Sequence, residues 1–198
     1  KAVKGLVAGR AWEPARLAAS LAASRQQLVL LRRNSRSLAP GPYRVYLAPA
    51  AVAALVNMLS WGGVSHGAWK KGDSALKKLI EGEVRLSPQF NLSEDFTLGL
   101  TPAFNSRGER APSRLPVIVE GAIENLLISS RTAREYGVAA NGAEASEGLR
   151  TPDLAPGSLA EADGLATLGT GVYVSNLHYL NWSDLQNARL TGMTRYAC

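Results

Sequence analysis

Helical spacing dominates the first third of the chain. Pro14 suits the first turn of a helix, and leucines recur on one face as far as Leu31. With the high helix propensity of the Ala, Leu, Arg and Gln run, this pattern predicts a helix from about Pro14 to Arg33. Residues 34–42 contain two prolines, two serines and a glycine, which predicts a linker.

Apolar residues then become almost continuous. Residues 43–47 are of β type and predict a strand that ends before Pro49. Residues 50–60 follow with hardly a polar side chain, and a helix that is apolar all round is normally a buried one. We therefore expect a buried helix here, then an exposed loop over residues 64–72 and a short helix capped by Asp73 or Ser74.

The second half alternates between short extended runs and turns. Two β runs flank Glu120-Gly121, which predicts a hairpin over Val117–Ile128. Further expected elements are strands at 84–86, 96–98, 115–119, 172–177 and 188–196, helices at Ser130–Tyr136 (with Ser130 as the cap) and 159–168, and a surface loop at 139–157. Because strands and helices do not alternate strictly, we expect an α+β fold with a mixed or antiparallel sheet and a buried apolar helix.

Charge is distributed unevenly along the 198 residues. The net charge is +6, yet residues 1–44 carry nine Lys and Arg against the single acid Glu13. Such a stretch can contact nucleic acid, although no aromatic residues interleave with its arginines and a solvated helix surface is the simpler interpretation. We expect residues 1–42 to be a basic helix and linker from the end of a preceding domain. Residues 43–198 would then be a C-terminal α+β domain, incomplete at its C-terminus.

Membrane insertion and secretion find no support in the sequence. No stretch approaches about 20 uninterrupted apolar residues, and the N-terminus lacks the pattern of a signal peptide. The one cysteine, Cys198, cannot form an intrachain disulfide, which favours a cytoplasmic location.

One short catalytic pattern occurs in the sequence. Gly63–Gly67 matches G-x-S-x-G, which would make Ser65 a nucleophile, with Asp153 or Asp163 and then His178. The preceding residues predict a helix and not the required strand, so a flexible loop is the favoured interpretation and a serine hydrolase on Ser65 an alternative. No helical His-Glu-x-x-His pair and no phosphate-binding glycine loop occurs.

Several segments in order along the chain resemble the TldD/PmbA family, once called modulators of DNA gyrase. LTPAFNSRG at Leu100–Gly108 is similar to the family's T-P-F-D-x-x-G segment. Leu115–Gly137 is similar to its hairpin and helix, and LTGMTR ending at Arg195 to a strand near its end. Tyr43–Gly63 looks like the strand and helix that open the family's C-terminal domain. The resemblance covers about residues 13–198.

This resemblance implies a peptidase. Active members are zinc metallopeptidases with a His-Glu-x-x-x-His helix and a later cysteine ligand, and they pair with a zinc-free subunit, TldE or PmbA, to process small flexible peptides in the cytoplasm. The metal helix should correspond to Ala50–Ser60, which has neither His nor Glu. Cys198 precedes the family's closing segment, so the cysteine ligand is not carried onto it.

The resemblance therefore implies a PmbA/TldE-like subunit. We expect it to bind no cofactor, to be non-catalytic alone, and to work with a zinc-bearing TldD-like partner or as a homodimer. Because extended peptides often bind at sheet edges, the hairpin is the expected peptide or subunit contact, through Val117, Val119, Ile123 and Leu127.

Overall fold

The computed structural model describes residues 3, 5–9, 11–194 and 197. In that part of the chain the helices are α1 (Pro14–Leu31), α2 (Pro49–Leu59), α3 (His66–Lys71), α4 (Lys77–Ile80), α5 (Ser130–Tyr136) and α6 (Gly164–Leu168), with 3₁₀ turns at Phe96–Leu98 and Glu161–Asp163. The strands are β1 (Val45–Leu47), β2 (Leu92–Asp95), β3 (Arg114–Val119), β4 (Ala122–Ile123), β5 (Pro152–Leu154), β6 (Val172–Val174), β7 (Leu177–Asp184) and β8 (Arg189–Thr194).

One compact unit contains Lys1–Val52, Leu159–His178 and Met193–Cys198. Its sheet is the parallel pair β1–β6, in which Tyr46 lies opposite Tyr173 and the two rings stack with centroids 5.8 Å apart. Helix α1 forms where the sequence predicts it, with Pro14 in its first turn, and none of its residues is buried.

The other unit contains Ala53–Ser158 and Tyr179–Gly192. Its four-stranded sheet has the order β4-β3-β2-β5, with antiparallel neighbours throughout. Leu92, Val117 and Ile118 of this sheet are almost completely buried and form its core. A parallel pair, an antiparallel sheet and interspersed helices confirm the mixed α+β class. A third sheet consists of β7 and β8.

Helix α2 is buried on one side only. Val56 and Met58 lie in the core, whereas Ala53 and Asn57 are exposed. The expectation of a wholly buried helix is therefore wrong in its extent. Alanine counts as apolar in a sequence pattern but carries little hydrophobic surface, so an alanine-rich face tolerates water.

Two predicted strands are absent from the described chain. Residues 84–86 form no regular element, and Phe96–Leu98 is a 3₁₀ turn in which the Asp95 carboxylate accepts the Thr97 N–H at 2.9 Å. The strand of this region is β2 instead, whose four residues are all buried although three are polar. A buried polar strand shows no hydrophobic alternation, so periodicity cannot detect it.

Residues predicted as loops also enter the core. Residues 64–72 contain α3 and include the buried residues 64–67, not an exposed loop. The predicted surface loop at 139–157 contributes the buried Ala143, Glu147 and Thr151 as well as β5. The cap of α5 is Ser129, one residue before the serine predicted for that role.

The Glu120-Gly121 turn confirms the predicted hairpin, but its second strand, β4, ends at Ile123 and not at Ile128 as expected. Both residues have positive φ, 47° and 77°, as the tightest β-hairpin turns require. The Leu86 N–H donates to Gly121 O at 2.9 Å and brings the two backbones together. A Cβ atom on Gly121 would therefore overlap the Leu86 carbonyl group. Only glycine satisfies both the backbone angle and this close approach.

We predict that Gly121→Ala destabilises the protein more than Gly72→Ala. Gly72 also has positive φ, 82°, but a Cβ there meets nothing within 4 Å. Gly72→Ala should cost about 1 kcal/mol of backbone strain, and Gly121→Ala about 2 kcal/mol more because Leu86 must move. Urea unfolding of both variants measures the difference, and equal losses would contradict the steric explanation.

A buried carboxylate joins two helix ends at the candidate functional site

Glu147 lies where three segments of the second unit meet. Its side chain is buried, with 2% of the residue exposed. One oxygen, Oε2, accepts the Ser65 hydroxyl at 2.5 Å and the Gly67 N–H at 2.9 Å, and Oε1 accepts the Ser129 N–H at 2.8 Å. The carboxylate therefore ties the loop before β5 to the starts of α3 and α5.

A serine caps the start of each of the two helices. Ser65 caps α3 by accepting the Ala68 N–H at 3.0 Å, and Ser129 caps α5 by accepting the Thr132 N–H at 3.3 Å. The first N–H groups of a helix have no partner within the helix, and its N-terminus favours negative charge. Glu147 supplies both an acceptor and a charge to two such ends at once.

The approach of the two helix ends is close. A Cβ on Gly67 would lie 3.0 Å from Thr132 Oγ1 and 3.3 Å from Glu147 Oε2, so a larger residue would push the helix ends apart. Glu147 itself has a φ of 52°, which is uncommon for a non-glycine residue and is maintained by its hydrogen bonds.

The hydrogen bonds decide the charge state of Glu147. Burial raises the pKa of this carboxyl group, but donors from Ser65, Thr132, Ser129 and Gly67 together outweigh burial and hold the pKa below its usual range. Glu147 is consequently ionised at neutral pH.

His66 lies beside this carboxylate. Its imidazole is enclosed by Trp69 and Tyr136, with ring centroids 5.4 and 5.7 Å away. Only 7% of the residue is exposed, and Nδ1 finds no hydrogen-bond partner in the described part of the chain. Burial lowers the pKa of His66, the Lys70 ammonium lowers it further, and Glu147 acts in the opposite direction.

A second buried carboxylate, Glu94, anchors the end of the same loop. It accepts the N–H of Arg150 at 3.0 Å and that of Thr151 at 3.1 Å, and burial raises its pKa despite these bonds. The Arg150 guanidinium lies over the Phe96 ring at 4.6 Å and donates to the Phe104 carbonyl at 2.9 Å. A small pocket beside them is lined by Glu94, Phe96, Ala111, Pro112, Leu115, Leu127, Asn141, Gly142, Ala143, Gly148 and Arg150.

The predicted contact residues differ in accessibility. Val117 and Leu127 are buried in the core, Ile123 is half-buried, and Val119 is 40% exposed. The turn beside them is covered, because Gly121 N donates to Phe90 O at 3.0 Å and Gly121 O accepts from the 86–91 segment. Peptide or subunit contact at the hairpin stays a prediction, with Val119 the most accessible of the four.

Ser65 is poorly suited to nucleophilic attack. The residue is 5% exposed, its hydroxyl donates to Glu147, and its oxygen accepts the Ala68 N–H. Among the described residues its hydrogen-bond partners include no histidine to act as a base. The G-x-S-x-G match thus reflects a helix cap and two closely packed glycines.

Zinc does not fit the residues of α2. The helix carries only Ala, Val, Leu, Pro and Met side chains besides Asn57, and none of these is a usual zinc ligand. Glu147 has both oxygens committed to N–H and O–H donors. No group of three or more His, Cys, Asp or Glu that could hold a metal is found in the part of the chain described here, and Cys198 lies outside that part.

The acid pairs at 94–95 and 144/147 predict solvated charge in polar loops, and this interpretation is wrong for Glu94 and Glu147, which are buried. The sequence indicated no role for Ser129 or Arg150. Ser65 and Glu147 are separated by 82 positions, and Glu94 and Arg150 by 56. A serine before a helix is a visible cap signal, but no local pattern indicates which distant carboxylate completes it.

Comparison with known proteins identifies the family. A family profile described as PmbA/TldA metallopeptidase C-terminal domain matches residues 40–198. The chain belongs to this family. A comparison with curated protein sequences finds no match.

Solved structures share the fold of this PmbA/TldA domain. TldE from Thermococcus kodakarensis matches with a TM-score of 0.69 and 16% identity, over 91% of this chain and 43% of that one. A proposed modulator of a DNA gyrase from Thermotoga maritima has a TM-score of 0.63 and 20% identity, over 84% and 38%. A similarly described protein from Bacteroides thetaiotaomicron matches with a TM-score of 0.64 and 15% identity, over 89% of this chain and 42% of that one.

The chain thus spans about two fifths of the length of these solved proteins. Among the described residues, no helix of this PmbA/TldA domain combines the length and the apolar character that crossing a lipid bilayer requires.

We predict that Glu147→Gln costs about 2–4 kcal/mol of unfolding free energy at pH 7, because an amide NH₂ must face groups that are themselves donors. Exposed Glu124 offers a matched control, and Glu124→Gln should leave stability nearly unchanged. The pKa of Glu147 is lower in the folded state than in the unfolded state. The ionised carboxylate therefore stabilises the fold at pH values above the unfolded-state pKa, and this stabilisation is lost as the pH falls through the folded-state pKa. The difference between wild type and Glu147→Gln should therefore shrink in acid; a constant difference from pH 7 to pH 3 in denaturant titrations would contradict this.

Proposed function

We propose that this domain belongs to a PmbA/TldE-like subunit that binds no zinc and serves a two-subunit peptidase acting on small flexible peptides. The observation that carries the proposal is the composition of α2. The resemblance assigns the metal helix to this position, and here its side chains offer no imidazole, thiolate or carboxylate.

Neither His66 nor Glu147, the ionisable groups of the α3–α5 contact, substitutes for the missing ligands. His66 is enclosed by two aromatic rings, and the Glu147 carboxylate is occupied by donors from two helix ends. A general base needs both a free lone pair and access to substrate, and neither residue offers them together. The similarity to a solved TldE supports the same subunit type through fold alone.

The proposed partner is a TldD-like zinc subunit in the cytoplasm, with a homodimer as the other possible assembly. Val119, and less directly Ile123, would contribute to a peptide or subunit contact. The buried Val117 and Leu127 would support that surface from within the core. At the turn, the backbone groups of Gly121 already bond to Phe90 and Leu86, which favours contact there through the exposed Val119 side chain.

A nucleic-acid-binding module is the alternative function. Arg25, Arg32, Arg33 and Arg36 are exposed residues of α1 or of the segment that follows it, and α1 has no buried residue. Exposed guanidinium groups can contact phosphate groups. DNA binding that falls steeply with salt, and that is abolished when these arginines become serine, would support the alternative over the peptidase subunit.

We predict that the purified protein contains no stoichiometric zinc and cleaves no peptide alone. Elemental analysis by mass spectrometry measures the zinc, and a library of short unstructured peptides measures cleavage. Cleavage should appear when a TldD-like protein with an intact His-Glu-x-x-x-His helix is added, and a chelator should remove it. One zinc per chain, or chelator-sensitive turnover by this protein alone, would overturn the proposal.

A further inference from the structure

His66 is a buried histidine that the proposed peptidase role does not use. It begins α3, and its ring packs against Trp69 of the same helix and Tyr136 at the end of α5. The backbone N–H of the same residue donates to Leu127 O at 3.1 Å, which holds the main chain at the start of α3 in place. A neutral imidazole fits this apolar enclosure; a charged one does not.

We call the contacts of Glu147 with Ser65, Gly67 and Ser129 the α3–α5 junction. We propose that His66 makes this junction acid-sensitive: a second proton on its imidazole releases the starts of α3 and α5 from Glu147. A protonated ring has two N–H donors, and Nδ1 has no acceptor among the described residues. Opening the junction hydrates that donor and relieves the charge.

Charged groups around the ring act in both directions. On α3, the Lys70 ammonium lies over the Trp69 ring at 4.0 Å and disfavours a second cation. From the loop before β5, the Glu147 carboxylate attracts a cation on the ring, but its oxygens already accept hydrogen bonds from Ser65, Gly67 and Ser129. On α5, Tyr136 contacts the ring directly, and Arg131 and Glu135, of opposite charge, lie near that tyrosine.

The direction of the pH effect follows from proton linkage. An enclosed His66 binds its proton below the ordinary pKa of 6.5, whereas in an opened junction it regains that value. The open form therefore binds more protons as pH falls below 6.5, and its population rises. For one proton the increase is at most about tenfold per pH unit.

Amide hydrogen exchange measures the opening. The reporters are the N–H groups of Gly67 and Ser129, which both donate to Glu147, and amides of the β2–β3 pair report global unfolding. After correction for intrinsic exchange, junction opening in the intact protein should rise several-fold between pH 7 and pH 5.5, up to about tenfold per unit. Opening of the β2–β3 pair should rise less.

His66→Gln should remove this pH dependence. Lys70 and Lys71 provide a matched pair of substitutions, each removing one exposed positive charge from α3 and leaving His66 in place. Lys70→Gln should reduce acid opening, because the cation facing the ring is gone. Lys71→Gln, which changes the adjacent exposed residue, should behave as wild type.

Nitrogen-15 spectra of the two histidines, assigned with His66→Gln, follow the imidazole itself. Protonation of His66 below pH 6.5 in step with the Gly67 and Ser129 exchange rates supports the proposal. Unchanged pH dependence in His66→Gln, equal behaviour of the two lysine variants, or titration of His66 without any change in junction exchange would each overturn it.

Discussion

A carboxylate removed from water requires a full set of hydrogen-bond donors, and at Glu147 this requirement fixes three segments of the chain at once. Its partners are a serine hydroxyl and two backbone N–H groups from the starts of α3 and α5. Helices α3 and α5 are too short to be stable alone. The shared carboxylate, together with the bond from the His66 N–H to Leu127 O at 3.1 Å, sets the positions of their starts. The small size of Gly67 then permits the helix ends to approach.

The same loop is fixed a second time a few residues later. Glu147 extends from the loop towards the helix starts, whereas Arg150 and Thr151 donate their backbone N–H groups to Glu94 of β2. The two carboxylates respond differently to burial. Glu147 has hydroxyl donors besides N–H groups and its pKa is lowered; Glu94 relies on backbone donors and its pKa is raised. Anchored at both points, the segment becomes part of the core and leads directly into β5.

Elements with a strong local signal could be predicted from the sequence, and elements defined by distant partners could not. The α1 helix, the strand before Pro49 and the Glu120-Gly121 turn all follow from propensity and turn chemistry. By contrast, β2 consists of buried polar residues, and the loop at 139–157 looks solvated because it is rich in Gly, Ala and acids. Glu94 of β2 bonds a partner 56 positions away, and Glu147 of the loop bonds Ser65, 82 positions away. Periodicity contains no such long-range information.

Motif resemblance recovered what periodicity could not, namely the family, but it did not supply the site. Ser65 illustrates the reason: its local pattern suggests a nucleophile, whereas its contacts make it a helix cap. The α2 helix packs on the core through apolar side chains, since Val56 and Met58 are buried. A catalytic metal contributes chemistry more than packing. Under the proposed function, its ligands could therefore be replaced by alanine and asparagine while the fold that presents a surface to a partner persists.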